Sequence, residues 1–145
     1  KGQSIKNELL FLVDEDTRSF NAIIDAIRMP KSNELEKQTR ALAIETASQY
    51  ASEVPFKVMK TTLRAADLLD EMLVSGNQAS ITDTGVGALC SLTAMEGAYM
   101  NVRINTKDLT DRGFAEELNN KAIALMENAR KRFQVISNQV HDKIK

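Results

Sequence analysis

The chain has 145 residues, of which 43% are hydrophobic and 27% are charged, and its formal net charge is −1. This composition is that of one globular domain with its own core, and the balanced charge excludes the basic footprint that nucleic-acid binding requires. No apolar run approaches the ~20 residues of a membrane span, and a single Cys and a single His exclude an intrachain disulfide and disfavour a zinc site.

A long first helix is predicted from about Ser4 to Met29, because Pro30 ends it. Apolar residues at helical spacing form one stripe along it: Ile5, Leu9, Leu12, Phe20, Ile23, Ile24 and Ile27. Asp16 falls within that stripe. A carboxylate on the core side of a helix is costly unless something pairs with it. We therefore expect Asp16 either to be bonded to a neighbouring helix or to act as a general acid and base.

The second and third helices are predicted on either side of Pro55. Asn33 is a candidate N-cap, with Glu36 as its capping-box partner, and the second helix is expected to end near Val54. Pro55 suits the first position of the third helix. That helix is expected to end at Gly76, which is a typical C-terminal residue.

Asp83 is predicted to cap a fourth helix, from about Thr84 to Val102. Small residues, and then two amides, follow one line along it: Gly87, Ser91, Ala94, Ala98, Asn101 and Asn105. Such a smooth stripe allows another helix to approach closely. The two asparagines either end the helix or face a cleft and bind the edge of a heterocycle. Asp83 either only caps the helix or belongs to a loop that holds an anion or a polar ring edge.

The fifth helix is expected to begin between Thr110 and Phe114 and to run to the C-terminus. Its apolar residues follow a nearly heptad spacing: Leu118, Ala122, Leu125, Ala129, Phe133, Ile136 and Val140. Because no strand pattern is convincing, we predict an all-α bundle of about five long helices in one domain, residues 1–145. Five helices would not cover so much apolar face alone, so we expect a homodimer or a higher homo-oligomer.

Four stretches of the chain, in this order, resemble motifs of the cyclodeaminase/cyclohydrolase family. They are residues 13–22 with 26–31, 53–55, 80–89 and 97–105. The family includes the cyclodeaminase domain of formimidoyltransferase-cyclodeaminases and the methenyltetrahydrofolate cyclohydrolases. Its members carry a glycine-rich segment before the first of these motifs, and we expect this chain to lack that segment.

The resemblance implies a cytoplasmic, oligomeric enzyme of folate one-carbon metabolism and histidine degradation. The implied reaction is the ring closure of 5-formiminotetrahydrofolate to 5,10-methenyltetrahydrofolate with release of ammonia. No metal and no cofactor beyond the tetrahydrofolate substrate are implied. On the matching positions, Asp16 and Asp83 are the expected catalytic residues. The expected substrate-binding residues are Arg18, Phe20, Asn101, Arg103 and Asn105.

Two alternatives remain open at this point. The first is a methenyltetrahydrofolate cyclohydrolase, in which water attacks the methenyl carbon, and the four motifs do not separate it from the cyclodeaminase. The second is a helical assembly module without activity. Asp16 and the asparagine pair argue against this module, because a scaffold has little use for polar groups on an apolar face.

Overall fold

The chain folds into five α-helices and contains no β-strand. The computed structural model describes residues 1–145. In chain order the helices are α1 (Gly2–Arg28), α2 (Glu34–Leu63), α3 (Ala65–Ser75), α4 (Ile81–Thr106) and α5 (Arg112–Lys143), with a 3₁₀ turn (Gln78–Ser80) before α4. The predicted all-α fold is confirmed. Every helix is too short or too polar to span a membrane.

Helix α2 lies at the centre of this arrangement. It packs against α1 and against α4, while α1 and α4 are not in contact with each other. Helix α5 packs mainly on α4, and α3 touches both. The main hydrophobic core lies between α2, α3, α4 and α5, and α1 contributes none of its 16 residues. Helix α1 is therefore an outer helix that rests mainly on α2 and leaves open space beside it.

The buried face of α1 is a narrow seam. Its buried residues recur every seven positions: Ile5, Leu12, Ser19 and Ala26. Side chains between these positions lie at the edge of the seam. Phe20 is 61% exposed, and Asp16 is exposed as well. The prediction that both lie in a buried stripe is wrong, because essentially one neighbouring helix covers α1.

Helix α2 begins as predicted but ends later. The Asn33 side chain accepts a hydrogen bond from the backbone N–H of Glu36 at 2.9 Å, which confirms the predicted cap. Pro55 does not begin a third helix; it lies inside α2, and the break between α2 and α3 falls at Arg64. An asparagine of α4 replaces the helical hydrogen bond that this proline removes, so the helix continues through it.

Helix α4 begins at Ile81, two residues before the predicted cap Asp83. The Asn77 side chain accepts a hydrogen bond from the N–H of Ala79 at 3.0 Å, and the 3₁₀ turn that follows Asn77 runs directly into α4. Asp83 therefore lies within the first turn rather than at the cap. A carboxylate there is still favourable, because the helix dipole is positive at this end.

Helix α5 follows its predicted seam. It is capped by Asp111, whose carboxylate accepts a hydrogen bond from the N–H of Phe114 at 2.9 Å. Every predicted seam residue except Leu125 is buried, and Met126 is buried beside it. A Cβ at Gly85 would lie 3.0 Å from Cγ1 of Val140. A side chain at this point would therefore require Val140 to shift by a few tenths of an ångström.

One carboxylate holds the loop between α4 and α5. The two oxygens of Glu45 accept hydrogen bonds from the backbone N–H groups of Thr110, at 3.0 Å, and Asp111, at 2.9 Å. The N–H of Asp111, followed by that of Thr110, holds the pKa of Glu45 below its ordinary value of 4.5. A lowered pKa in the folded state means that this carboxylate stabilises the fold above about pH 4.5. That stabilisation is lost as the pH falls through the folded-state pKa.

Replacement of Glu45 by alanine is expected to lower the free energy of unfolding by about 1 kcal/mol at pH 7, because two backbone donors lose their acceptor. The difference should shrink well below pH 4.5, where the wild-type carboxyl is protonated too. Urea denaturation at pH 7 and near pH 3 measures both values. Glu127→Ala, at an exposed position of α5, is the matched control. A deficit of equal size at both pH values would contradict the assigned role of the carboxylate.

Candidate active site

An open groove runs along α2 between α1 and α4, with a volume of about 400 Å³. Residues of α1 form one wall, residues of α4 form the other, and Pro55 and Val58 of α2 form the floor. The wall residues are Leu9, Leu12, Val13, Asp16 and Thr17 of α1, and Ala94, Ala98 and Asn101 of α4. A mostly apolar concavity with a few convergent polar groups is the usual form of a small-molecule site. Three of the four stretches identified in the sequence meet here.

Asp16 is the only carboxylate that lines this groove. Its backbone carbonyl accepts a hydrogen bond from Oγ of Ser19 at 2.8 Å, whereas its carboxylate is exposed and available to a ligand. The alternative in which Asp16 is bonded to a neighbouring helix is therefore wrong. The cost expected for a buried charge does not arise, because this side chain is solvated.

The least exposed acid of α1 is Glu15. Its side chain is only 17% exposed, and its carboxylate accepts hydrogen bonds from Oη of Tyr50 and from the guanidinium of Arg18. The Tyr50 hydroxyl, and then the Arg18 charge, hold the pKa of Glu15 below its ordinary value. The same hydrogen bond raises the pKa of Tyr50. The sequence analysis predicted neither contact of Glu15, although an arginine three residues later is a signal for the Glu15–Arg18 ion pair.

The two asparagines both lie inside α4, so the alternative in which they end the helix is wrong. Asn101 is exposed on the groove wall that faces Asp16. Asn105 is one turn further along, and its Nδ2 donates a hydrogen bond to the carbonyl of Ala51 at 2.8 Å. That carbonyl has no helical donor, because residue 55 is a proline. The structure thus brings Asn101 to the groove and uses the amide of Asn105 within the protein.

Asp83 and Arg103 lie away from this groove. Asp83 is at the opposite end of α4, about 27 Å from Asn101 at 1.5 Å per helical residue. Arg103 follows Asn101 by two residues and so lies on the opposite face of the helix. Its guanidinium carbon lies 5.8 Å from the ring centroid of Tyr99. Within one chain, neither residue is close to Asp16.

Arg18 and Phe20 are near Asp16 on α1 but do not line the groove. Besides its ion pair with Glu15, the Arg18 guanidinium lies 5.7 Å from the ring centroid of Phe11. Phe20 is one helical turn beyond Asp16 and is largely exposed. Phe20 lies on the Asp16 face of α1 and is accessible to a ligand that extends out of the groove, whereas Arg18 follows Asp16 by two residues and lies on the opposite face.

The groove provides three chemical features, namely a carboxylate, an amide and apolar walls. The Asp16 carboxylate can take up a proton and return it, and the Asn101 amide can both donate and accept hydrogen bonds. The apolar walls suit the faces of planar rings. No group of three or more His, Cys, Asp or Glu side chains is arranged to hold a metal ion. These three features of the groove could therefore serve proton transfer on a small planar ligand.

Comparison with known proteins identifies the same family that the four sequence stretches resemble. The family described as Formiminotransferase-cyclodeaminase matches residues 1–124. The Formimidoyltransferase-cyclodeaminase of Mus musculus is 36% identical over 123 residues, which is 85% of this chain and 23% of the mouse protein. The Methenyltetrahydrofolate cyclohydrolase of Methylorubrum extorquens is 32% identical over 117 residues, which is 81% of this chain and 56% of that protein. The chain thus spans less than two thirds of these relatives.

A solved structure shares the fold. The formiminotetrahydrofolate cyclodeaminase from Thermotoga maritima superposes with a TM-score of 0.73 at 20% sequence identity, over 97% of this chain and 64% of that chain. At this identity the likeness is evidence for the helical architecture alone. The arrangement of α1 to α5 is therefore one that a solved protein also adopts.

Proposed function

The chain belongs to the formiminotransferase-cyclodeaminase family, and on that premise we propose that it catalyses the ring closure of 5-formiminotetrahydrofolate to 5,10-methenyltetrahydrofolate with release of ammonia. One observation carries this proposal. A solvated carboxylate, Asp16, and an amide, Asn101, line opposite walls of one apolar groove built from three of the four family-like stretches.

The reaction needs a proton to move between two nitrogens. N10 of the folate attacks the carbon of the protonated formimino group on N5, and a carbon–nitrogen bond forms. The proton of N10 passes to the Asp16 carboxylate and then to the amino nitrogen that the attack creates. Ammonia leaves as the second carbon–nitrogen bond breaks. The positive charge of the substrate remains on the methenyl product, so atoms and charge balance.

The groove would contribute mainly by position. The apolar side chains of Leu12 and Ala98 flank the ring system, and the Asn101 amide orients it by hydrogen bonds. Holding N10 against the formimino carbon replaces a rare encounter by a fixed geometry, which can supply a large part of the rate. Phe20, one turn beyond Asp16 on the same face of α1, is the candidate for contact with the part of the substrate that extends beyond the groove.

A cyclohydrolase is the second candidate. The comparisons include this activity too, since the Methylorubrum extorquens protein that is 32% identical to this chain is a methenyltetrahydrofolate cyclohydrolase. In this reaction Asp16 would deprotonate a water molecule that attacks the methenyl carbon. The product would be 10-formyltetrahydrofolate.

An absorbance assay at the methenyltetrahydrofolate band separates these candidates. With 5-formiminotetrahydrofolate as substrate, a cyclodeaminase gives a rise of the band together with ammonia. With methenyltetrahydrofolate as substrate, a cyclohydrolase accelerates the loss of the band. A chain that does neither, when purified and folded, contradicts both proposals and leaves a helical assembly module as the remaining explanation.

We also propose that the chain associates with copies of itself. Sixteen large apolar side chains are at least 41% exposed, and they include Phe11, Phe20, Leu42 and Ile104. Where such groups form a contiguous patch they mark a surface that another protein covers, and one apolar patch lies between α1 and α2, lined by Ala26, Met29, Leu42 and Ala43 among others. Sedimentation velocity is expected to show species of at least twice the 16.1 kDa of one chain. A single species of monomer mass at micromolar concentration would contradict self-association.

A further inference from the structure

The hydrogen bond from Asn105 to Ala51 compensates for a proline in the floor of the groove. Pro55 has no N–H, so the Ala51 carbonyl, four residues earlier in α2, loses its helical donor. Ala51 is 4% exposed, which leaves water little access to this oxygen. Asn105 Nδ2 donates to it at 2.8 Å from the neighbouring helix. Asn105 and Pro55 therefore form one device, in which the asparagine donates the hydrogen bond that the proline cannot donate.

This device joins the two helices that carry the groove's floor and one of its walls. Pro55 itself lines the groove, and so does Asn101, which precedes Asn105 by one turn on the same face of α4. A hydrogen bond that holds Asn105 against Ala51 also fixes the position of Asn101 along the axis of α2. The position of the amide relative to Asp16 thus depends on the Asn105–Ala51 bond.

We propose that Asn105 is a positioning residue, which sets the register of α4 on α2 so that Asn101 stands correctly opposite Asp16. This inference rests on the proposed function. It deepens that proposal by assigning Asn105 to the support of the site rather than to contact with substrate.

Stability alone does not require this arrangement. An alanine at position 55 would give the Ala51 carbonyl its normal helical partner and would leave Asn105 unnecessary. Proline is unfavourable in a helix interior, yet this chain places Pro55 inside α2 beside the groove. Local choices that oppose secondary structure are expected where a site needs a particular geometry.

Four proteins test the device itself: the wild-type chain, Asn105→Ala, Pro55→Ala and the double variant. Asn105→Ala alone is expected to lower the melting temperature by about 3–8 °C, because a buried carbonyl loses its donor. In the Pro55→Ala background the same change should have little effect, since the alanine N–H now serves that carbonyl. Equal effects in both backgrounds would show that the two residues are independent and would overturn the inference.

The double variant separates positioning from a merely structural role. It is expected to be as stable as the wild-type chain but to have a kcat lower by about tenfold or more, since small displacements of reacting groups are costly. A double variant with wild-type stability and wild-type kcat would overturn the positioning role. A wild-type chain that turns over neither folate would remove the proposed function and this role with it, while the melting temperatures would still report on the bond.

Discussion

Replacement of Asp16 by asparagine is expected to lower kcat for ring closure by about 10²–10⁴-fold, the usual contribution of a general acid or base. Asparagine keeps the size of the side chain but cannot carry the proton from N10 to the leaving nitrogen. KM should change much less, because the shape of the groove is retained. Steady-state kinetics at the methenyltetrahydrofolate band measure both quantities.

The fold should not suffer from this change. Asp16 is exposed and its carboxylate has no partner in the protein, so the free energy of unfolding is expected to stay within about 0.5 kcal/mol of the wild-type value. Asp14→Asn is the matched control, since it is the same substitution at another exposed position of α1 outside the groove. Asp14→Asn should retain wild-type activity. An Asp16→Asn chain with normal kcat would exclude Asp16 as the proton carrier.

The helices were predictable wherever a local signal decides them. The Asn33 cap, the start of α5 and the seam of α5 all follow from side chains within a few residues of each other in sequence. The two cap interactions form in the same way whatever the rest of the chain does. The all-α fold follows from these signals and from the absence of strand patterns.

Predictions failed where a distant residue decides the outcome. Pro55 was expected to start a helix because proline rarely lies inside one, and only the position of Asn105, fifty residues later, shows why it can. Asp16 was expected to be buried because its stripe is apolar, but the number of helices that cover α1 is a property of the tertiary structure. Glu15, which lies off that stripe, is the acid that Tyr50 holds.

The residues of the candidate site were predictable from local patterns, but their arrangement was not. Asp16 and Asn101 were selected as polar residues on apolar faces, and both line the groove. The groove itself could not be inferred, since it exists because α1 and α4 both pack on α2 without touching each other. Asp83 and Arg103 were selected from motifs. A motif gives the position of a residue along its helix, but it does not give the surface that the residue faces in the folded chain.

Ala94→Phe tests whether this groove is where the folate binds. Ala94 is an exposed residue on the α4 wall, so a phenylalanine in its place would project its ring into the groove without entering the core. The affinity for 5-formyltetrahydrofolate, an unreactive analogue, is expected to fall by about tenfold or more, which corresponds to about 1.4 kcal/mol of binding free energy. Isothermal titration calorimetry measures this change.

Thr93→Phe is the control for this variant, because Thr93 is the adjacent exposed residue of α4 and does not line the groove. It adds an aromatic ring to the same helix at the same height, so it should leave the affinity unchanged. If both variants weaken binding equally, the effect comes through the helix and not through the groove. If Ala94→Phe binds as tightly as the wild-type chain, the folate must bind elsewhere, and Asp16 would lose its substrate as well.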